Sequence, residues 1–394
     1  MGLETRLRAG LDRIAEQGLL RTLRPVRSLA GSRIRHRDRI YLNLAGNDYL
    51  NLAGTEDLIR EFYEQTDEAN LPDRFAAGAT ASRLMTGNHP VNEELEDRLR
   101  AMYTPADVLV FNSGYHANIG ILPALAGKGD LILADKLCHA SLIDGMRLTR
   151  ARVIRYPHLD YGRLAELLKQ KREQYDQVFL VTESIFSMDG DEADLTRLAD
   201  LRDRHRAVLY VDEAHAVGMR GAAGLGLAEE QGARERIDLL VGTFGKAWAG
   251  QGAFVACTPL TREYLINTAR SLIFTTGLPP VSLAWLLFIA ARITTMEEER
   301  AHVRDLARFL RQGLRDQGLE TAGTSHIVPV LIGGAGQTMR VADRLRQAGY
   351  WPGAVRPPTV PAGTARLRLS LTAAMNRDEL APLPELIRRA MRGA

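Results

Sequence analysis

The sequence predicts an α/β fold with a mostly parallel central sheet flanked by helices, and three observations carry the prediction. Between about residues 105 and 260, short apolar runs alternate with longer amphipathic ones, the pattern of strands joined by crossover helices. One run, Ala207-Val208-Leu209-Tyr210-Val211, ends on Asp212, where an open α/β sheet places its ligand. The chain has 394 residues with 45% hydrophobic content, beyond the size at which one core stops growing, so a main domain and a smaller one are expected.

The elements follow in order. Leu3, Leu7, Leu11 and Ile14 give residues 3–20 helical spacing, and Arg24-Pro25-Val26 stops the helix, so residues 1–45 form an N-terminal helical arm. Tyr41-Leu42-Asn43-Leu44 is a strand entering the turn Gly46-Asn47-Asp48-Tyr49, where a large domain over 46–285 begins. Its strands are expected at Val108–Phe111, Leu131–Leu133, Val153-Ile154, Val178–Val181, Val208–Val211 and Leu239–Val241. After Pro279-Pro280 one long helical stretch runs through Leu314. A small α+β domain over 286–394 then has strands at 327–332 and 365–371 and helices near 337–348 and 377–391.

Composition narrows the function classes. Cys138 and Cys257 stand in no CxxC or histidine-rich arrangement, which supports neither a disulfide framework nor a metal site. The N-terminus lacks an apolar signal region, and the stretch from Val281 to Ala291 is too short to cross a bilayer, so a cytoplasmic chain without membrane contact is expected. A net charge of +3 is small for this length and makes no case for nucleic acid. Residues 1–39 do carry ten arginines against four acidic residues, an excess that fits a solvated helix face or an anionic partner.

The chemistry concentrates in Val211-Asp212-Glu213-Ala214-His215 and Thr243-Phe244-Gly245-Lys246. Taken singly, Asp212 reads as a strand-end cap and Lys246 as a solvated lysine. Together they supply an amine, a buried carboxylate and an imidazole, a set that suits pyridoxal phosphate. Lys246 can hold the cofactor aldehyde as a Schiff base, while Asp212 keeps the pyridine nitrogen protonated. Gly242, Gly245 and Ala247 let a cofactor approach the backbone closely. Asn112-Ser113-Gly114-Tyr115-His116 follows a strand and opens a helix, a place for the cofactor phosphate or an ordinary cap. His139 is either a ring-stacking imidazole or a satisfied core histidine, and Ser187 can hydrogen-bond the ring substituents.

Several motifs then resemble one family over nearly the whole chain: Asn47-Asp48-Tyr49-Leu50, Gly78-Ala79-Thr80-Ala81-Ser82-Arg83, His139-Ala140-Ser141, Ser187-Met188-Asp189-Gly190-Asp191, and the Asp212 and Lys246 segments. The chain resembles the α-oxoamine synthases, fold type I pyridoxal phosphate-dependent transferases. The resemblance implies that Lys246 carries the cofactor, that Asp212 pairs with the pyridine nitrogen, and that Ser187 and His215 contact the phenolic oxygen. It also implies that His139 stacks on the ring and assists the acyl steps, and that Gly114, Tyr115 and Thr243 bind the phosphate. Members are homodimers with shared active sites, which implies that Thr275 and Thr276 reach the partner subunit's phosphate. Asn47 and Arg368 would hold the amino-acid carboxylate, and Arg21 and Thr359 would contact substrate.

Within the family, the segment from Val355 through Arg356-Pro357-Pro358-Thr359 to Arg368 is similar to the signature of the biotin-pathway member, which condenses L-alanine with pimeloyl-CoA or pimeloyl-acyl carrier protein. The alternatives are members that join glycine to acetyl-CoA or succinyl-CoA, or an aminotransferase without thioester chemistry. Two departures from the family stand out. Gly78–Asn88 is less glycine-rich than in some members, and Ala247-Trp248 is bulkier than the residues often found after the lysine.

Overall fold

Among the described residues, thirteen strands build two sheets, and the division between them differs from the one read along the chain. The computed structural model describes residues 2–65 and 67–393, which group into two units. The larger comprises Thr55–Ser187 and Glu192–Arg300; the other joins the chain up to Gly54, Met188–Asp191 and Ala301 onward. Boundaries were expected at 45/46 and 285/286. The strands explain the difference, because β1 (Arg27–Leu29), β2 (Arg33–His36) and β3 (Arg39–Leu44) belong to the sheet built by the C-terminal residues.

The larger unit holds β4 (Asp107–Phe111), β5 (Leu131–Asp135), β6 (Arg152–Tyr156), β7 (Val178–Glu183), β8 (Val208–Asp212), β9 (Leu239–Thr243) and β10 (Ala253–Cys257). Their order is β4-β10-β9-β8-β7-β5-β6. Neighbours from β9 to β6 pair parallel, and β10 runs antiparallel to both β4 and β9. Every residue of β5, β7, β9 and β10 is buried, which is why these strands read as unbroken apolar runs instead of alternating ones. At the edge, β6 exposes Arg152 and Arg155, charges that discourage further pairing. The sequence reading missed β10, whose run Ala-Phe-Val-Ala-Cys is short and follows the turn-rich Lys246 segment.

The second unit orders its strands β1-β2-β3-β12-β13-β11, with β11 (Ile327–Gly333), β12 (Tyr350–Val355) and β13 (Ala365–Ser370). Only β12 with β3 pairs parallel. β12 went unread because Pro352-Gly353 breaks its pattern. The arm helix spans Leu3–Glu16 and buries none of its residues; Leu3, Leu7, Leu11 and Ile14 are 41 to 62% exposed.

Two expected helices are broken. The stretch after Pro279 divides into Pro280–Ala290, a single 3-10 turn at Ile293–Thr295, and Glu297–Asp316. The β-branched run Ile293-Thr294-Thr295 propagates a helix poorly, while Glu297, Glu298 and Glu299 favour a new N-terminus. Arg300, fully buried, donates from Nη1 to the Ile293 carbonyl at 2.8 Å and so satisfies the interrupted backbone. The C-terminal helix splits at Pro382 into Arg377–Leu380, opened by an Asn376/Glu379 capping box, and Leu383–Arg392.

Candidate active site

In the larger unit, the carboxyl ends of β8 and β9 and the starts of two helices gather the polar groups. Asp212 closes β8, buried, with both oxygens engaged: Oδ2 accepts from Asn118 Nδ2 at 2.8 Å and Oδ1 from the Ala214 N–H at 2.9 Å. Asn118 is itself fully used. Its Nδ2 also donates to Ser141 Oγ at 2.8 Å, and its Oδ1 accepts from the Tyr210 hydroxyl at 2.6 Å. One amide therefore orients Asp212 and ties β8 to the helices Gly114–Leu125 and Ala140–Leu148.

His139 caps the second of those helices with its ring. Nδ1 accepts from the Ser141 N–H at 3.2 Å and lies 2.7 Å from Ser141 Oγ. A neutral imidazole that accepts at Nδ1 carries its proton on Nε2. Burial, opposed by Asp212 and reinforced by Lys246, lowers the His139 pKa, so the ring is a neutral Nε2–H donor at physiological pH.

Gly114 starts its helix against β9. A Cβ there would lie 2.5 Å from Thr243 Cγ2, so only glycine lets the helix N-terminus approach the strand end this closely. Ser113 caps that helix by accepting from the His116 N–H at 3.1 Å. Thr243 is buried, its hydroxyl 3.4 Å from the Ala214 carbonyl. Lys246 follows in a half-buried turn closed by the Ala249 N–H on the Lys246 carbonyl at 2.9 Å. His215 is buried, Ser187 half-buried, and Tyr115 exposed with its hydroxyl donating to Asp144 at 2.8 Å. The Thr275-Thr276 segment joins this end of the sheet through Asn112, whose Nδ2 donates to the Thr276 carbonyl at 2.6 Å.

Two more buried acids lie here. Glu213 accepts from the Leu227 and Ala228 N–H groups at 2.8 and 2.9 Å, and burial raises its pKa to about 7. Glu183 closes β7, and burial followed by Asp212 pushes its pKa well above the usual carboxylate range. The sequence reading named neither of these as a site residue, nor Asn118. Asn118 lies one turn past Gly114 inside a helix, where nothing local marks an asparagine as special.

The second unit brings Asn47 and Arg368 together. Arg368 is buried in β13; Nη2 donates to Asn47 Oδ1 at 3.1 Å and to the Tyr49 hydroxyl at 3.2 Å, and Nη1 donates to Ser370 Oγ at 2.7 Å. The Tyr49 hydroxyl donates in turn to Asn47 Oδ1 at 3.0 Å. Arg21 and Thr359 are exposed and belong to another contact of this unit. Arg21 donates to the Pro357 carbonyl at 3.4 Å, Arg356 donates to the Leu20 carbonyl at 2.6 Å, and the Thr359 N–H donates to the Arg356 carbonyl at 3.2 Å.

The donor set of the larger unit fits pyridoxal phosphate: an amine at Lys246, a buried and doubly held carboxylate at Asp212, and a helix N-terminus at Gly114 opened by the missing side chain. Comparison with known proteins agrees. Residues 39–387 match the family described as aminotransferase class I and II. The 8-amino-7-oxononanoate synthase of Chlorobaculum parvum is 49% identical over 380 residues, 96% of this chain and 97% of that one. The chain belongs to the α-oxoamine synthase family. As a member, it is a fold type I pyridoxal phosphate enzyme of the acyltransferase kind.

Further relatives keep the α-oxoamine synthase assignment. A protein of Pasteurella multocida named putative 8-amino-7-oxononanoate synthase is 47% identical over 352 residues, covering 89% of this chain and 90% of its own. Among solved structures, the serine palmitoyltransferase of Sphingomonas wittichii superposes with a TM-score of 0.90 at 29% identity, covering 100% and 99% of the two chains. The 8-amino-7-oxononanoate synthase of Francisella tularensis gives 0.75 at 28% identity, covering 90% and 98%.

Proposed function

We propose that this α-oxoamine synthase condenses L-alanine with a pimeloyl thioester, releasing carbon dioxide and free thiol and forming 8-amino-7-oxononanoate. The near-half identity to the Chlorobaculum parvum synthase across 96% of the chain carries the reading. The Arg356-Pro357-Pro358-Thr359 segment supports it. The acyl carrier is coenzyme A or an acyl carrier protein, and the compartment is the cytoplasm. Among the described residues no single helix is long and apolar enough to cross a membrane.

When bound, pyridoxal phosphate supplies an aldehyde for Lys246 and a ring that withdraws electron density from the amino acid's α-carbon. Asp212 holds the proton at the pyridine nitrogen, and Asn118 keeps that carboxylate aimed. Gly114, Tyr115 and Thr243 bind the phosphate; Ser187 and His215 bind the phenolic oxygen. Asn47 and Arg368 take the alanine carboxylate, a geometry for which an arginine fork is suited. Lys246 Nζ, freed when alanine binds, takes the α-proton as general base. His139 donates from Nε2 to the oxyanion that develops as the thioester is attacked. Arg21 and Thr359 contact the acyl donor. The assembly is a homodimer in which Thr275 and Thr276 reach the partner's phosphate.

Mass spectrometry of products tests this. Cofactor-loaded protein incubated with L-alanine and pimeloyl-CoA is expected to yield the alanine–pimeloyl aminoketone and free coenzyme A. Product formed only from glycine with acetyl-CoA or succinyl-CoA overturns the substrate assignment while leaving the family intact.

A further inference from the structure

Glu96, 1% exposed, lies in the helix Pro90–Met102 of the larger unit and takes no part in the reaction described above. Two arginines flank it. Its Oε1 accepts from Arg83 Nη1 at 2.6 Å and from the Val110 N–H at 2.9 Å, and its Oε2 accepts from Arg262 Nη2 at 2.9 Å. Both arginines continue onto β4: Arg83 Nη1 also donates to the Val110 carbonyl at 3.2 Å, and Arg262 Nε donates to the Val108 carbonyl at 2.8 Å. Since β4 is an edge strand, these bonds satisfy backbone groups that no neighbouring strand reaches. Edge capping accounts for Arg262, but Arg83 has further contacts.

Arg83 belongs to the segment Gly78–Asn88, and its Nε donates to Asn88 Oδ1 at 2.8 Å, closing that segment on itself. Gly87 makes the closure tight, because a Cβ there would stand 2.1 Å from the Ala81 carbonyl oxygen. The Ala81 carbonyl also accepts from the Gly277 N–H at 2.9 Å, and a Cβ on Gly277 would come within 3.0 Å of the Gly87 carbonyl oxygen. From the other side Asn112, just past the end of β4, holds the Thr276 carbonyl. Thr275-Thr276 is thus seated between Asn112 and a turn that Glu96 anchors through Arg83. Neither threonine hydroxyl has a hydrogen bond among the described residues, so both are available to a group outside this chain.

We propose that Glu96 and Arg83 are positioning residues for the partner subunit's cofactor site: the pair fixes the turn that seats Thr275-Thr276 and so sets how both hydroxyls approach the partner's phosphate. The inference rests on the shared-site homodimer of the proposed function. A carboxylate taken out of water is costly unless charged donors surround it, and a guanidinium fork bonded to it is held in one geometry. Arg83 therefore transmits the rigidity of the helix Pro90–Met102 to a turn that has no regular structure of its own.

Arg83→Met keeps the side-chain stem and leaves Glu96 its bonds to Arg262 and Val110, so no buried acid is left unpaired. Equilibrium dialysis of the holoprotein over a range of pyridoxal phosphate concentrations, followed at the absorbance of cofactor-bound Lys246, is expected to show a Kd raised about tenfold, the worth of one hydrogen bond to a charged group. An unchanged Kd overturns the proposal and leaves the pair an edge cap. Mixed dimers of differently tagged Arg83→Met and Lys246→Ala subunits then locate the effect. In them only the Arg83→Met subunit can bind the cofactor covalently, and its phosphate meets threonines from a subunit with Arg83 intact. Wild-type Kd is expected for that site; the weakened Kd of the Arg83→Met homodimer would show that the pair acts within its own subunit and sink the proposal. The double variant Thr275→Ala/Thr276→Ala, mixed in the same way, keeps the two readings apart. Its rescue without rescue of Arg83→Met leaves the shared site standing and removes the proposal, whereas failure of both removes the shared site and the proposal with it. Should Arg83→Met not fold, Arg83→Lys, which keeps a charge beside Glu96 but lacks the fork that reaches Val110 and Asn88, decides by the same dialysis.

Discussion

The strand ends of the larger unit and the N-terminal arm are both rich in charged residues and treat them in opposite ways. At the strand ends Asp135, Glu183, Asp212 and Glu213 are buried, and Asp135, Asp212 and Glu213 have a donor on each carboxylate oxygen. On the arm helix no residue is buried, and Arg6, Arg8 and Arg13 lie in solvent beside exposed leucines. A charge taken out of water must be matched by hydrogen bonds or neutralised, whereas a solvated one costs and contributes little. Mutations should therefore separate the two regions by their effect, even where the side-chain chemistry is alike.

The largest effect belongs to Lys246→Ala, which on the proposed function removes both the cofactor's anchor and the general base. Steady-state assays should find turnover reduced by at least about a thousandfold, and full activity would remove Lys246 from the site. Next comes Asn118→Ala. It leaves Asp212 Oδ2 and the Tyr210 hydroxyl without their shared partner, so urea unfolding should show a loss of about 3 kcal/mol and cofactor titration a weaker complex. Unchanged stability would mean that water replaces the amide, and the strand-end region would then be less closed than its burial implies.

Glu213 sharpens the comparison through pH. Its folded pKa of about 7 lies above the usual 4.5, so the folded protein binds this proton more tightly than the unfolded chain does. The stability it contributes is fully present below pH about 4.5 and is lost as pH rises through about 7, an amount on the order of 3 kcal/mol. Unfolding free energies measured across that window should slope downward in wild type and more shallowly in Glu213→Gln. The smallest effects lie on the arm. Leu7→Ser or Leu11→Ser should move the unfolding free energy by less than about 0.5 kcal/mol, because neither side chain is buried. A larger loss would show that the arm helix is covered in the assembled protein.

Much of the larger unit's architecture was legible along the chain. Strands buried on both faces must be apolar throughout, so β5, β7, β8 and β9 announce themselves, and a polar residue at the end of such a run is conspicuous. Asp212, Thr243 and Gly114 stood out in this way. Glu183 ends the same kind of run, but a carboxylate at a strand end has many ordinary explanations, so its sequence context alone does not mark it. β10 and β12 were lost because five or six residues beside a glycine-rich turn or a Pro-Gly pair carry too little periodic signal.

Local pattern therefore determined most strands of the larger sheet and singled out Lys246 and Asp212 as the pair proposed to hold the cofactor, since each depends on residues a few positions apart. Folding in three dimensions settled which groups meet. Arg368 bonds Asn47 across 321 residues, Asn118 reaches Asp212 across 94, and Glu183 faces Asp212 only because β7 and β8 are neighbours in register. Such pairings depend on strand order and on burial from all sides, relations between distant segments that no short stretch of sequence encodes.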